Sequence, residues 1–310
     1  MFFGDSSTFN PTTDIPPLTG KVIIVTGGNA GLGKEAALEF ARHRPREIWL
    51  ACRSATKGEE VASEVEQQID DAPPIKVLEL DLSRFASVKK AASRVLAETD
   101  RLDILMLNAG AMALPPGLTE DGYEMQFGTN HMGHALLCKL LMPLLRRTAE
   151  EPGADVRVVS LSSRGHAHLF RGVPHWHLMK TTADELGCFG RYGESKLANA
   201  LWARQLAKQY PQLTVSAVHP GLVQTQLMTK ADGTSALVRT LVNVIGPWIV
   251  SSATHGARNQ LWASVSKDVQ SGEYYEPVGR AGLGSACARD DDLARKLWDW
   301  TEKELQGIQL

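Results

Sequence analysis

Cysteine is scarce in this chain and follows no pairing pattern. The four cysteines, Cys52, Cys138, Cys188 and Cys287, are scattered, and no two of them stand in a Cys-x-x-Cys arrangement. This distribution argues against a disulfide framework or a zinc site, and it is typical of reduced thiols. We therefore expect a cytoplasmic protein without a structural metal.

Long apolar runs and targeting signals are also missing. Residues 1–19 contain neither a basic segment nor an apolar core, so we interpret them as a Pro/Thr-rich N-terminal lead-in. The most apolar later stretch, residues 236–250, is interrupted by Arg239, Asn243 and Pro247 and is shorter than the ~20 residues of a spanning helix. The sequence predicts no transmembrane anchor.

The chain has no excess charge of either sign. It contains 33 Lys and Arg against 35 Asp and Glu, a net charge of -2, which provides no field to attract nucleic acid or an anionic membrane. Hydrophobic residues make up 43% of the chain and charged residues 22%, as in a folded globular protein. We therefore expect a small-molecule ligand and no nucleic-acid partner.

From residue 21 onward, short apolar runs alternate with helical patterns. The predicted strands lie at 21–27, 47–52, 75–80, 103–110, 156–163, 213–220 and 272–277, and they are nearly continuous in apolar residues, as in a parallel sheet covered on both faces. Predicted helices lie at 32–42, 56–69, 86–99, 123–145, 195–210 and 255–265, and Trp298 and Trp300 mark a terminal helix. The order predicts an α/β fold: one domain, residues 20–310, with a doubly wound seven-stranded parallel sheet and helices on both faces.

Two segments without clear periodicity, residues 164–191 and 222–250, follow the carboxyl ends of predicted strands. Ligands bind at that edge of open α/β sheets. We expect these segments to form the walls of the substrate pocket.

A glycine-rich turn, Thr26-Gly-Gly-Asn-Ala-Gly-Leu-Gly33, joins the first predicted strand to the first helix. Gly27 permits the tight turn, Gly31 lets the backbone approach a pyrophosphate, and Gly33 lets the helix pack close to the strand. The helix N-terminus supplies free N–H groups and partial positive charge. The turn predicts a dinucleotide-binding Rossmann fold; the alternative is a glycine-rich turn without a ligand. The predicted contacts here are Gly27, Asn29, Gly31, Leu32 and Gly33.

The second predicted strand ends in Arg53, where an NAD-binding protein usually has an acid. An arginine there can pair with the adenosine 2′-phosphate in a bidentate way, so Arg53 favours NADP(H), and with it the reductive direction. Lys57, Lys34 and Asn29 are candidates to reinforce this contact. The alternative is that Arg53 only caps a surface turn.

A tyrosine and a lysine four residues apart stand near the start of a helical pattern, in Tyr192-Gly-Glu-Ser-Lys196. This spacing places both side chains on one helix face, so we expect the Lys196 ammonium to lower the tyrosine pKa from its usual ~10. Ser162 and Ser163 stand at the end of a predicted strand. The pair predicts acid/base chemistry at Tyr192.

These motifs together resemble the short-chain dehydrogenase/reductase family, in the family's order, over residues 21–277. The TGGNAGLGKE, ACRS and YGESKLAN segments resemble its retinol dehydrogenase-like and WW-domain-oxidoreductase-like branch, which includes fungal enzymes of secondary metabolism. The other matching segments are Asp81-Leu82, Asn108-Ala109-Gly110, Asn130-His-Met-Gly133, and His219-Pro220-Gly221 leading to Thr225.

The resemblance implies a role for each matching residue. Tyr192 exchanges the hydroxyl proton while hydride moves between NADPH and a ketone or aldehyde. Lys196 lowers the tyrosine pKa and holds the nicotinamide ribose, Ser163 (with Ser162 as the fallback) bonds the substrate oxygen, and Asn130 supports a proton-relay water. The remaining implied cofactor contacts are Asp81, Leu82, Asn108, Ala109, Gly110, Pro220, Gly221, Val223 and Thr225.

The resemblance further implies a homodimer or homotetramer, although the long insert and extended C-terminus could block the helices that form such contacts. Other functions stay open: a cofactor-using lyase or cyclase, or a non-catalytic interaction protein. NADPH consumption separates them. His166, His168, His175 and His177 form two His-x-His pairs, but no nearby acid or cysteine completes a metal site, so we predict none.

Overall fold

The predicted strands form one parallel sheet. In the computed structural model, which describes residues 9–167, 169, 172–221, 223 and 252–310, the strands pair in the order β3-β2-β1-β4-β5-β6-β7. Each strand falls inside a predicted run, so the α/β class and the seven-stranded sheet are confirmed. The strands are β1 (Val22–Thr26), β2 (Glu47–Cys52), β3 (Ile75–Glu79), β4 (Ile104–Leu107), β5 (Arg157–Leu161), β6 (Thr214–Val218) and β7 (Tyr274–Tyr275).

The helices follow the predicted pattern with one error. The prediction of a helix at 195–210 is wrong in its start, because α7 already begins at Gly187 and therefore contains Tyr192. No helix in the described ranges is long and apolar enough to cross a bilayer. The helices are α1 (Pro11–Asp14), α2 (Gly31–Arg42), α3 (Ala55–Gln68), α4 (Phe85–Glu98), α5 (Met125–Phe127), α6 (Gly133–Ala149), α7 (Gly187–Gln209), α8 (Ala253–Val265) and α9 (Asp291–Glu304), with a π-helical turn (Gly128–Met132) between α5 and α6.

Helices cover both faces of the sheet. Along β1, Val22 and Ile24 face a core shared with α4, α6, α7 and α9, whereas Ile23 and Val25 face a second core shared with α2, α3 and α8. All four side chains are fully buried, and each such side chain contributes about 1.5–3 kcal/mol to folding. The helices on both faces confirm the doubly wound arrangement. Because all the strands are parallel, their carboxyl ends lie at one edge of the sheet.

The predicted lead-in contributes to the second core from residue 9 onward. Phe9, Ile15 and Leu18 are buried there, and the Leu18 backbone N–H donates to the carbonyl oxygen of His43 at 2.8 Å. Most of the expected substrate segment 222–250, which includes Thr225 and the apolar stretch 236–250, lies outside the described residues.

Candidate active site

The glycine turn between β1 and α2 has the geometry of a phosphate cradle. Gly27 and Gly31 have φ values of 68° and 52°, in the left-handed region that favours glycine. A Cβ at Gly33 would lie 2.4 Å from the Gly27 carbonyl oxygen, so only glycine lets α2 approach this closely. The N-cap residue Ala30 makes no side-chain cap bond, which leaves the first N–H groups of α2 for a ligand.

The segment after β4 closes onto this turn. The Ala109 N–H donates to Thr26 Oγ1 at 2.9 Å, and Asn108 Nδ2 donates to the Thr26 carbonyl oxygen at 2.7 Å. Asn108 Oδ1 is buried and has no hydrogen-bond partner among the described residues. A glycine cradle, free helix N–H groups and an unpaired amide oxygen together fit a dinucleotide.

Arg53 stands exposed directly after β2. It makes no hydrogen bond or ion pair within the described ranges, and Ser54, not Arg53, caps α3 by accepting from the Lys57 N–H. Lys57 is exposed nearby, whereas Lys34 is paired with Glu64 at 2.5 Å. Arg53 and Lys57 are therefore available to a ligand, and Lys34 is held elsewhere.

The predicted adenine-pocket residues differ in exposure. Leu82 is buried in the core, where its carbonyl oxygen would lie 2.2 Å from a Cβ at Gly133. Asp81 is partly exposed, and its Oδ1 accepts from the N–H and the hydroxyl of Ser83 at 3.0 and 2.6 Å. Asp81 thus holds the loop after β3 through its bonds to Ser83, and Leu82 anchors the same loop in the core.

The loop after β6 comes close to the start of α2. Gly221 has a φ of 89°, and Pro220 beside it is partly exposed. Val223 is buried, and a Cβ at Gly256 of α8 would meet both Val223 and Leu32 within 3 Å. Val223 and Leu32, both predicted cofactor contacts, therefore pack against α8 at Gly256.

The structure brings the predicted acid/base residues together at the carboxyl end of β5. The Ser163 hydroxyl hydrogen-bonds the Tyr192 phenol, and it also accepts from the Gly165 N–H at 3.1 Å. A Cβ at Gly165 would lie 3.2 Å from Tyr192 Cε1, so a larger residue would crowd this pair. Ser162 is buried, and its hydroxyl donates to the Lys196 carbonyl oxygen at 2.7 Å. The geometry therefore favours Ser163 over Ser162 as the reactive serine.

The predicted lowering of the tyrosine pKa by Lys196 is wrong for this structure. Burial raises the pKa of Tyr192 to about 12, and the hydrogen bond from Ser163 only partly opposes it. Lys196 Nζ donates to the Leu161 carbonyl oxygen at 2.8 Å and lies 5.8 Å from the Tyr192 ring centroid, while burial lowers the pKa of this amine to about 7. Burial, and not Lys196, therefore dominates the pKa of Tyr192 in this structure.

Asn130 lies in the π-helical turn, a feature common at functional sites. Its Nδ2 donates to the Ala111 carbonyl oxygen and to Ser195 Oγ, both at 2.9 Å, and its Oδ1 accepts from the Ala111 N–H at 2.7 Å. Ser195 Oγ donates in turn to the Tyr192 carbonyl oxygen at 2.8 Å. The Asn130 side chain thus ties the segment after β4 to α7 beside Tyr192.

The histidines on this helix are buried packing residues. His134 contacts Thr26 Oγ1 and the Asn130 carbonyl oxygen, both at 2.9 Å, and burial lowers its pKa to about 4. His131 contacts Thr301 of α9 at 2.9 Å, and burial lowers its pKa to about 3. Both rings are therefore neutral, and His134 links Asn130 to the glycine turn.

The position of α7 is set by two buried polar contacts, which sequence reasoning missed. Glu194 Oε1 accepts from the backbone N–H and from Nδ1 of His175, which fixes the substrate-side segment on the helix. Arg191 lies 3.0 Å from Glu124, and both side chains are buried. In the sequence, the only indication of these contacts is the presence of charged residues, Arg191 and Glu194, on both sides of Tyr192.

Of the described histidines in the predicted His-x-His pairs, His166 lies by the reactive serine, whereas the His175 and His177 rings lie together, with centroids 6.0 Å apart. His166 contacts the Ser163 carbonyl oxygen, His175 contacts Glu194, and His168 lies outside the described residues. No group of three potential metal ligands occurs within the described part of the chain.

Comparisons with known proteins identify the class to which this fold and site belong. A family model described as short chain dehydrogenase matches residues 21–172. Retinol dehydrogenase 12 from Mus musculus is 39% identical over 302 residues, covering 96% of this chain and 90% of that protein. A short-chain dehydrogenase/reductase from Aspergillus calidoustus is 35% identical over 311 residues, covering 96% and 97%. The chain belongs to the short-chain dehydrogenase/reductase family, and within it to the retinol dehydrogenase-like branch, as the sequence motifs predict.

Solved structures agree with this assignment. A protein from Mycobacterium paratuberculosis has a TM-score of 0.71 and 29% identity, covering 94% of this chain and 96% of that chain. A short chain dehydrogenase from Shigella flexneri, complexed with NADP, has a TM-score of 0.63 and 22% identity, covering 84% and 98%, and shows the fold. This chain is thus an oxidoreductase of a family that binds a nicotinamide cofactor.

Proposed function

We propose that this chain is an NADP-dependent oxidoreductase that interconverts a carbonyl and an alcohol, in the reductive direction on a ketone or aldehyde. The observation that carries the cofactor choice is Arg53, which is exposed directly after β2 and free of any partner among the residues described. A guanidinium there can hold a 2′-phosphate through two parallel hydrogen bonds. Lys57 adds a second positive charge.

The residues that would hold the cofactor lie at the carboxyl ends of neighbouring strands. Gly27, Asn29, Gly31, Leu32, Gly33 and the free N–H groups of α2 would face a pyrophosphate. Asn108 to Gly110 would line the next strand end, and Pro220, Gly221 and Val223 would hold the carboxamide, with Thr225 as a further expected contact that lies outside the described residues. Asp81 and Leu82 border the adenine. Lys196 Nζ lies next to Gly110, 3.5 Å from the position of a Cβ there, and would hold the ribose at this point. When bound, the nicotinamide supplies or accepts the hydride.

The protein's own part is proton transfer and orientation. Because the pKa of Tyr192 is raised to about 12, its phenol is protonated at neutral pH and can donate a proton to the substrate oxygen. The Ser163 hydroxyl, which already bonds this phenol, is placed to bond the same oxygen. Asn130 and Ser195 hold the backbone of Tyr192, and Lys196 holds the ribose.

Cofactor choice is tested by fluorescence titration of NADPH and NADH with wild type, Arg53→Ala and a matched control. Arg295→Ala removes the same charge from an exposed site on α9, where the arginine pairs with Asp292 at 3.1 Å. We expect Arg53→Ala to weaken NADPH binding by roughly 10- to 100-fold, since a charged hydrogen bond contributes about 1.5–3 kcal/mol. NADH binding and the control should be unchanged. Equal loss of both cofactors, or tighter NADH binding by wild type, would contradict the assignment.

The alternative classes are separated by counting NADPH oxidised per product formed. A reductase consumes one NADPH per product, a lyase or cyclase forms product without consuming it, and an interaction protein does neither. We favour the reductase because Tyr192, Ser163, Lys196 and Asn130 lie in one connected site. Tyr192→Phe should lower kcat by about 10²- to 10⁴-fold, the range of general acid catalysis, while leaving NADPH binding intact.

The cellular setting is part of the proposal. The four cysteines are unpaired, which supports a reducing, cytoplasmic compartment. The resemblance to fungal members of the branch supports a place in secondary metabolism.

A further inference from the structure

The two tyrosines of β7 face opposite sides of the sheet. Tyr275 packs against Trp262 of α8, and its hydroxyl accepts from the Gln270 N–H at 2.7 Å. Tyr274 faces the core that contains α7, and only 5% of its surface is exposed. The Tyr274 hydroxyl has no hydrogen-bond partner among the described residues.

The Tyr274 ring is held in place by a histidine that also contacts the reactive serine. His166 packs edge-on against Tyr274, with ring centroids 4.7 Å apart and an interplanar angle of 80°. The Ser285 N–H donates to His166 Nε2 at 3.1 Å, so the ring proton is on Nδ1 and donates to the Ser163 carbonyl oxygen at 2.5 Å. One neutral imidazole therefore sets the position of both Tyr274 and the Ser163 backbone.

Tyr274 is also within electrostatic range of the acid/base tyrosine. Burial raises the pKa of Tyr274, and nearby Glu276 and Tyr192 raise it further, against the opposing effect of Arg164. The Tyr274 phenol is therefore uncharged at neutral pH and can both donate and accept a hydrogen bond. Tyr274 is thus linked to the site in two ways, electrostatically to Tyr192 and through the His166 ring to the Ser163 backbone.

A phenylalanine at this position would keep the ring packing and avoid the cost of burying a hydroxyl without a hydrogen-bond partner. Such groups are rare in folded proteins and require an explanation. Resting on the function proposed above, we infer that the Tyr274 hydroxyl is a specificity-determining group that binds a second oxygen of the substrate, close to the carbonyl served by Tyr192 and Ser163. The substrate class is a carbonyl compound with a neighbouring hydroxyl or carbonyl oxygen.

The first measurement is thermal stability, because a structural role and a binding role predict opposite results. Tyr274→Phe removes only the unpaired hydroxyl, so its Tm should equal or exceed that of wild type. The matched control Tyr275→Phe loses the bond to the Gln270 N–H and should lower Tm by about 2 °C or more. A lower Tm for Tyr274→Phe would point to a structural role and overturn the inference.

The second measurement is kcat/KM with NADPH for three four-carbon probes: butanone, acetoin and diacetyl. Wild type should prefer acetoin and diacetyl over butanone by about tenfold or more, the effect of one hydrogen bond in a desolvated site. Tyr274→Phe should lose most of that preference through KM, with butanone turnover and NADPH affinity unchanged. Tyr275→Phe should retain the preference.

The outcomes separate this inference from the proposed function. Absence of NADPH binding by wild type would overturn both. If wild type binds NADPH, three results would overturn only the role of Tyr274. These are no preference for the oxygenated probes, no turnover of any probe, and equal losses on all three probes in Tyr274→Phe.

Discussion

Lys196 is a buried amine at the carboxyl end of β5, and its burial has a measurable consequence for stability. Burial lowers its pKa from 10.5 to about 7. Between these values the unfolded chain binds the proton more strongly than the folded chain, so the free energy of unfolding rises with pH across this window. Below pH 7 both states carry the proton, and the cost of burying the charge is constant and at its largest.

Replacing this amine with an apolar side chain should therefore stabilise the protein. Lys196→Met keeps much of the side-chain length, and the Leu161 carbonyl oxygen still accepts from Asn199 Nδ2 at 2.9 Å, so no acceptor is left unpaired. We expect the free energy of unfolding at pH 7 to increase by a few kcal/mol, at about 1.4 kcal/mol per pKa unit. Between pH 7 and 10.5, the difference in bound protons between the unfolded and folded states should be smaller by up to one in the variant, so its stability should depend less on pH.

Urea unfolding of wild type and variant at several pH values measures this effect. Activity of the variant should fall at the same time if Lys196 holds the nicotinamide ribose as proposed. A variant less stable than wild type at pH 7 would show that Lys196 is a stabilising residue.

The start of α7 shows which parts of the helices are readable from sequence. The strands were predicted because continuous apolar runs are a local signal, and α2 was predicted from its glycine turn. The first turns of α7 contain Gly187, Gly190 and Gly193 and a buried charge, Arg191, which hide the helical period. The partner of Arg191 is Glu124, at the N-cap of α5, and this distant contact cannot be predicted from local spacing.

The Glu124–Arg191 pair should be essential for joining α5 to α7. The two groups lie 3.0 Å apart, their side chains are at most 2% exposed, and their alignment is that of an ion pair rather than a hydrogen bond. Burial already raises the pKa of Glu124 to about 7, and Arg191→Met removes the positive partner that favours its charged form. The variant should therefore lower the free energy of unfolding by about 3–5 kcal/mol above pH 7, and by less at lower pH, where Glu124 takes up a proton. Adding Glu124→Gln, which keeps an acceptor for the Phe127 N–H, should recover part of that loss.

A double-mutant cycle by urea unfolding measures the coupling. Arg84→Met is the matched control, since the Arg84–Glu120 pair is more than half exposed on both sides and its loss should change stability much less than the loss of Arg191. Strictly additive losses at Arg191 and Glu124 would show that the two residues do not act as a pair.

Over the whole chain, the parts of the site with local signals were predictable and those made by long-range contacts were not. The glycine turn, Arg53, and the order of Asn130, Ser163, Tyr192 and Lys196 are readable from motifs. The unpaired hydroxyl of Tyr274 and the pKa values of α7 depend on burial, which arises only when distant segments pack together. Spacing along one helix predicts that two side chains are neighbours, but not how far each is removed from water.

Packing of α9 on the long helices should also determine the number of subunits. Trp298 stacks on Trp202 of α7 with ring centroids 6.4 Å apart, Thr301 bonds His131, and Glu302 pairs with Lys139 of α6. The terminal helix α9 thus covers part of the surfaces of α6 and α7, as expected if the extended C-terminus blocks the helices that form subunit contacts. We expect a monomer at micromolar concentration in size-exclusion chromatography with light scattering.

Trp298→Ala, which weakens the packing of α9 on α7, should produce larger species. The control Arg295→Ala, at an exposed position on the same helix, should not. A stable wild-type dimer would show that subunits associate through another surface, and α9 would then be a packing element without influence on assembly.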